Sequence, residues 1–178
     1  NVAIGHVAGY FNTATYNTFI GSQTGYNNTT GASNVFVGSP DAGGQPTGYA
    51  NTTGSFNTAL GSAALRSNTT ASNNTAVGYQ AGYSNTTGTS LVAVGYQALK
   101  ANTTGVYNIA IGNSALAATI NGSANTAVGL ASLEGNTSGS DNAAFGFASL
   151  QANTTGTRNS AFGGAGLGYD GTGVLGSN

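Results

Sequence analysis

The sequence predicts an all-β protein, a parallel β-solenoid or β-roll of about ten coils of 17 residues. Three observations lead to this prediction. An Asn-x-Ala/Phe-apolar-Gly motif recurs along the chain, most steps between its copies are 17 residues, and only 4% of the 178 residues are charged. A fixed period of this kind indicates a repeat architecture, in which each unit buries its apolar face against the next.

The copies fill nearly the whole chain, which predicts a single repeat domain over residues 1–178. They start near residues 1, 17, 34, 57, 74, 91, 108, 125, 142 and 159. The third step is 23 residues long and contains Pro40 and Pro46. Because insertions in repeats map to loops, we expect a loop at 40–50 that bulges from one edge. Residues 163–178 are rich in glycine and form a degenerate last copy.

Each unit is predicted to contain two short strands and two turns. The first strand is the Asn-Thr-Ala-Val stretch, which is rich in β-branched residues, and the second is the Ala-Leu segment, which ends at an Asn-Thr-Thr-Gly turn. Glycine occupies position five in every copy and marks a backbone that needs positive φ or a close approach. Examples of this glycine are Gly78, Gly95, Gly112, Gly129 and Gly146.

Stacked coils place equivalent positions above one another and so create ladders. The asparagines of position one should hydrogen-bond along the stack, as they do in cross-β assemblies; they include Asn74, Asn108, Asn125 and Asn142. Position four forms an apolar ladder that includes Val77, Val94, Ile111, Val128 and Phe145, and position nine adds a leucine ladder.

Position three is mostly alanine, and positions three and four lie on opposite faces of a strand. The small residues therefore predict a thin interior. We expect the larger residues of position four to pack against other chains, with a trimer as the natural arrangement. Ten coils at about 4.8 Å give a rod on the order of 50 Å long. Because residue 1 already opens a repeat, we also expect end-to-end stacking or a segment of a longer fibre.

The unit Asn-Thr-Ala-Val-Gly-x-x-Ala-Leu resembles the head repeats of trimeric autotransporter adhesins, the YadA-like heads. The closest matches are residues 1–5 (NVAIG) and 108–112 (NIAIG), and similar repeats look like those of bacterial and phage tail-fibre-like proteins. The resemblance implies a left-handed β-roll, trimeric assembly and a fibre at the cell surface, outside the cell or on a virion tail, with a host-surface or glycan receptor. A helical filament of single-chain subunits is the alternative.

Catalytic and metal-binding constellations are absent from the sequence. The one histidine, His6, and the lack of cysteine leave no zinc cluster and no catalytic triad. The four acids, Asp41, Glu134, Asp141 and Asp170, are scattered, so no paired-carboxylate site is predicted. We therefore expect no enzyme activity, cofactor or metal. A net charge of −1 does not favour nucleic acid, and no apolar run approaches the roughly 20 residues of a membrane helix.

Three features leave alternatives open. Aromatic side chains share position six in Tyr79, Tyr96 and Phe147 and could contact sugars, although packing along an edge of the solenoid is the simpler interpretation. Threonines at positions 13 and 14 raise ice binding as the main rival to a structural fibre with an adhesive role. If the chain is secreted, the repeated turns could be glycosylated, at Asn28, Asn51, Asn68, Asn85, Asn102, Asn136 and Asn153.

Overall fold

The recurring motif folds as a three-residue strand in all ten copies. The structure is a computed structural model that describes residues 1–164. Its strands are β1 (Val2–Ile4), β2 (Thr18–Ile20), β3 (Val35–Val37), β4 (Thr58–Leu60), β5 (Thr75–Val77), β6 (Val92–Val94), β7 (Ile109–Ile111), β8 (Thr126–Val128), β9 (Ala143–Phe145) and β10 (Ser160–Phe162). Each strand pairs in parallel with the next in chain order, so that one ten-stranded sheet runs along the molecule. The predicted parallel β-solenoid is confirmed.

The register of the sheet places identical repeat positions side by side. Ala76 lies beside Ala93, and Val77 lies beside Val94. The residue at position three is buried in β2 to β10, whereas its neighbours at positions two and four are half-buried or exposed. This alternation follows from the two-residue period of a strand. Position three therefore faces the interior, and positions two and four form the outer surface of the sheet.

The interior is as thin as the sequence predicts. Alanines at position three meet the leucines of position nine, which are at most 5% exposed. These leucines are Leu65, Leu99, Leu116, Leu133 and Leu150. Leu167 lies outside the described residues. In coils four and six to nine, one layer of alanine packs against one layer of leucine, so that the core there is a narrow column parallel to the rod axis.

The prediction of a second strand in each unit is wrong. Positions six to eleven form consecutive tight turns, in which inter-coil bonds alternate with bonds inside the coil. Leu99 N donates to Ala115 O of the next coil at 3.0 Å, and Asn102 N donates to Leu99 O at 3.3 Å. The cause is the backbone: Gln97 and Leu99 adopt φ values of 55° and 51°, in the left-handed region that a strand does not use.

The inserted residues form a loop between coils three and four. Only 40–46 leave the solenoid, whereas Thr47 and Gly48, which belong to the predicted loop at 40–50, return to positions eight and nine. Thr47 Oγ1 donates to Gly61 O at 2.6 Å, and Gly48 N donates to Ala64 O at 2.9 Å. Within 1–164, no helix is long and apolar enough to cross a membrane.

Candidate functional site

The asparagines of position one form the predicted ladder, with a geometry that joins each coil to the next. The side-chain Oδ1 of Asn57 accepts the backbone N–H of Asn74 at 3.1 Å, and that of Asn125 accepts the N–H of Asn142 at 3.1 Å. The amide Nδ2 of Asn74 donates to Gly88 O at 3.0 Å in its own coil. Each side chain therefore satisfies buried backbone groups both within and between coils.

A second asparagine ladder at position twelve was not expected from the sequence. Asn51 Nδ2 donates to Asn28 Oδ1 at 2.6 Å, and Asn68 Nδ2 donates to Asn51 Oδ1 at 2.7 Å. Asn85 Nδ2 also donates to Gly88 O, the carbonyl that Asn74 uses, at 2.9 Å. The two ladders thus meet at position fifteen of each coil. The signal in the sequence was the near-invariance of asparagine at position twelve among the repeats.

The position-twelve asparagines are also the residues of the predicted glycosylation sequons. Asn28, Asn51, Asn68, Asn85, Asn102 and Asn136 have no exposed surface, and Asn153 is 3% exposed. A glycan on Nδ2 would displace the hydrogen bonds of that nitrogen and open the coil. Glycosylation stays a prediction, and these buried bonds argue against it in the folded chain.

Both ladders are interrupted at the same junction, between coil six (residues 91–107) and coil seven (residues 108–124). Leu91 stands at position one and offers no side-chain oxygen to Asn108 N, whereas Asn108 Oδ1 accepts the N–H of Asn125 at 3.0 Å. Thr119 stands at position twelve, where an asparagine would donate to Asn102 Oδ1. This junction therefore lacks the two side-chain bonds that most other junctions share, and a longer bond from Asn108 Nδ2 to Asn102 Oδ1, at 3.5 Å, crosses it instead.

Large apolar side chains lie exposed on one side of the rod. We define the outer sheet face as positions two and four of the ten strands, together with position six and the residue just before position one. Among residues 1–164, all exposed large hydrophobic residues except Tyr10, Phe11 and Ile120 belong to it. They include Ile4 (59% exposed), Leu60, Ile111 and Phe162 at position four. The predicted apolar ladder of Val77, Val94, Ile111, Val128 and Phe145 thus lies on the surface of the chain.

Aromatic rings stack on one another in two files along the rod. At position ten, Tyr10, Tyr26 and Tyr49 stack at 5.4 and 5.5 Å between ring centroids. At position six, Tyr79 stacks on Tyr96 at 5.4 Å. Since stacked rings cover each other's faces, these files supply coil-to-coil contact, and their inner rings leave only edges for a sugar.

The loop at 40–46 is held to the rod by Asp41. Its Oδ1 accepts the N–H groups of Gly43 and Gln45 at 3.0 and 2.9 Å, and its Oδ2 accepts Gln80 Nε2 at 3.1 Å. The N–H of Gln45, followed by the Gln80 amide, the N–H of Gly43 and the charge of Arg66, lowers the pKa of Asp41 below its ordinary value. Desolvation and the nearby charge of Asp41 raise the pKa of Tyr79. The loop is therefore an ordered part of the surface.

The remaining ionisable residues do not converge. His6 and Asp141 are exposed at opposite ends of the rod, and Glu134 accepts Gln151 Nε2 at 2.7 Å. Asp170 lies outside the described residues. Over residues 1–164 no three His, Cys, Asp or Glu side chains lie close enough together to hold a metal ion. What this surface offers is apolar and aromatic contact over a long, regular face.

Comparisons with protein-family models, curated proteins and solved structures found no match to the chain. The resemblance to adhesin heads and tail-fibre-like proteins therefore stays a prediction from the repeat motif.

Proposed function

We propose that the chain is a structural component of an extracellular fibre or filament, with an adhesive role at the cell surface or on a virion tail. The observation that carries this proposal is the coil-to-coil junction that recurs along the rod. Ten strands pair in one register, and asparagine side chains bond across most junctions inside the rod. Such a structure adds length by adding coils, because most coils present the same backbone and asparagine donors and acceptors to the next.

The hydrogen bonds between coils also suit a load-bearing role. A force that pulls along the rod is borne by the hydrogen bonds between successive coils. These are the bonds of the sheet, of the two asparagine ladders and of the threonines at position thirteen. Thr86 Oγ1, for example, donates to Thr103 O of the next coil at 2.9 Å. Shared bonds in a dry interior are more costly to break than single exposed ones, since each broken buried pair leaves unsatisfied polar groups. A rod of this kind supports a shaft or an adhesive head.

Self-association is part of the proposal. The outer sheet face exposes at least one large apolar side chain in every coil, whereas soluble monomers rarely expose apolar patches larger than a few hundred Å². A fibre component that assembles with copies of itself would cover this surface. The trimer and the helical filament expected from the sequence are both arrangements of this kind.

Ice binding is the second candidate. The threonines of position fourteen form an exposed file that includes Thr30, Thr53, Thr70, Thr87 and Thr104. They occupy turns, and the hydroxyl donors of position thirteen are already used in bonds to the next coil. A thermal hysteresis assay separates the candidates, because only an ice-binding rod would give a freezing point below the melting point.

Imaging of native material tests the proposed function. Antibodies raised against the chain and coupled to gold should label filaments in electron micrographs of the cells or virions that produce it. Labelling along filaments is the expected result. Label confined to the cytoplasm, or on particles without filaments, would contradict a fibre component.

A further inference from the structure

We infer that two copies of this chain pair through their outer sheet faces with the rods parallel, related by a two-fold axis along the rods. The inference rests on the proposed self-association and specifies its geometry. A two-fold of this kind reverses the strand direction and keeps the rod direction. Position two of each strand then lies opposite position four of the same strand in the partner. The two positions that flank the strand, namely the residue before position one and position six, also lie opposite each other.

The extent of the face matches that of a stable interface. Ten strands at about 4.8 Å apart, and about six residues across at about 3.3 Å each, cover on the order of 850 Å². A standard specific interface buries about 800 Å² on each partner. Positions two and four carry no charged side chain in any of the ten strands, so pairing desolvates no ion there. The nearby ionisable residues are His6 at one end and Asp141 and Arg158 at the other.

Side-chain size within the strands fits this two-fold. The bulkiest residues of position four, Phe145 and Phe162, stack on each other at 5.0 Å. The same two strands carry the smallest residues of position two, Ala143 and Ser160. In the parallel pair, each phenylalanine lies opposite one of these small residues of the partner. Shape complementarity at a protein interface is favoured where large residues face small ones, as they do in these two strands.

The flanking positions show the same relation. Each of seven strands has one large apolar flank and one smaller flank, and no strand from β2 to β10 has two large ones. The flanks before position one and at position six pair as Tyr16 with Ser22, Phe56 with Ser62, Asn73 with Tyr79, Ser90 with Tyr96, Tyr107 with Asn113, Ala124 with Leu130 and Asp141 with Phe147. Because the two-fold brings one flank of a strand opposite the other, every large side chain meets a smaller one.

The opposite arrangement lacks this fit. With the rods antiparallel and fully overlapped, strand four faces strand seven and strand five faces strand six. Phe56 would then meet Tyr107, and Tyr79 would meet Tyr96, which places four large exposed rings in two pairs. Overlapping bulk of this kind holds faces apart, so the size pattern selects the parallel pair.

Spin-label distances test the arrangement, since the chain has no cysteine and a single substitution gives one label in each copy. Thr30→Cys and Thr87→Cys lie at exposed position fourteen, in coils two and five. Parallel rods give the same label-to-label distance at both sites. Antiparallel rods separate the Thr30→Cys labels along the axis by about seven coils, or about 34 Å, and the Thr87→Cys labels by about one coil. Unequal distances of that size would overturn the parallel pair.

Light scattering during size exclusion measures the assembly itself. The expected mass is twice that of the chain, and the exposed substitution Ile111→Lys should reduce it to that of a monomer. Thr87→Lys is the matched control and should leave the dimer intact; circular dichroism confirms that both variants fold. A monomeric or trimeric wild type, or a dimeric Ile111→Lys variant, would overturn the inference. Gold-labelled filaments together with a monomer or trimer would leave the proposed function standing.

Discussion

The ring of Phe19 occupies the space that a side chain at Gly25 would need. A Cβ at Gly25 would lie 2.7 Å from Phe19 Cε1, closer than such contacts allow. Phe36 stands in the same relation to Gly48, where a Cβ would lie 2.6 Å from its Cε2. Most other coils reverse the sizes, with alanine at position three and leucine at position nine. In these coils the thin core is thus filled from one wall or from the other, whereas coil five carries small residues at both positions, Ala76 and Gly82.

Exchanging the two sizes in one coil should therefore be tolerated better than either change alone. Gly48→Leu overpacks the core and should cost about 1–3 kcal/mol, and Phe36→Ala leaves a cavity and should cost about 3–5 kcal/mol. The double variant recreates the neighbouring coil, in which Leu65 faces Ala59. Thermal melts followed by circular dichroism should show a loss for the pair well below the sum, and additive losses would contradict the compensation.

Glycine at position five should be irreplaceable because neighbouring coils touch there. Gly61 has a φ of 129°, and a Cβ on it would lie 2.6 Å from Gly78 O. Gly44, in the loop, has a φ of 74° but no neighbouring atom within 4 Å of a Cβ. Gly61→Ala should cost more than about 3 kcal/mol, whereas Gly44→Ala should cost only the strain of about 1–2 kcal/mol. Similar melting temperatures for the two variants would show that the close approach is absent.

The asparagine ladder should contribute stability in proportion to its continuity. Asn85 bonds to Asn68, Asn102 and Gly88 O, so Asn85→Ala leaves several buried groups unpaired and should cost on the order of 3 kcal/mol. Thr119→Asn extends the ladder across the interrupted junction and should add about 1 kcal/mol. Hydrogen exchange provides a local measurement: amides of coils six and seven should exchange more slowly in Thr119→Asn. Unchanged or faster exchange there would contradict the conclusion that the missing asparagine at position 119 weakens this junction.

Asp41 should make the stability of the loop depend on pH in the acid range. Its pKa in the folded chain is below the ordinary value of 3.8. A lowered carboxyl pKa contributes stability that is complete above about pH 4 and is lost as the pH falls through the folded value. The wild type should therefore lose more loop protection between pH 6 and pH 2.5 than Asp41→Asn, as measured by hydrogen exchange at Gln45. Asp141→Asn controls for the loss of one carboxylate, and an equal loss in Asp41→Asn and the wild type would contradict the assignment.

Periodicity was sufficient to predict the stack and its register. The 17-residue spacing, alanine at position three and leucine at position nine follow from the need to superpose like residues, and the structure places Ala76 and Leu99 as expected. The second strand could not be predicted correctly, because Gln97 and Leu99 adopt left-handed backbone angles that no residue type there signals. Tertiary hydrogen bonds between coils impose those angles.

The burial of the asparagine in the repeated Asn-Thr-Thr turn could not be predicted from the sequence either. Asparagine before a threonine in a turn is ordinarily exposed, whereas Asn68 and Asn85 are buried because their carboxamides replace the backbone partners that a tight turn lacks. The outer sheet face could be assigned to position four from the alternation of a strand. The pairing of one large and one smaller flanking residue on each of seven strands became evident only when the boundaries of the strands were known.

X-ray diffraction from aligned native fibres tests the central claim most directly, namely that the coils stack along the axis of the fibre. Strands perpendicular to that axis and spaced about 4.8 Å apart predict a strong meridional reflection at this spacing. A reflection at about 4.8 Å on the equator, or none at this spacing, would contradict a fibre built from this solenoid.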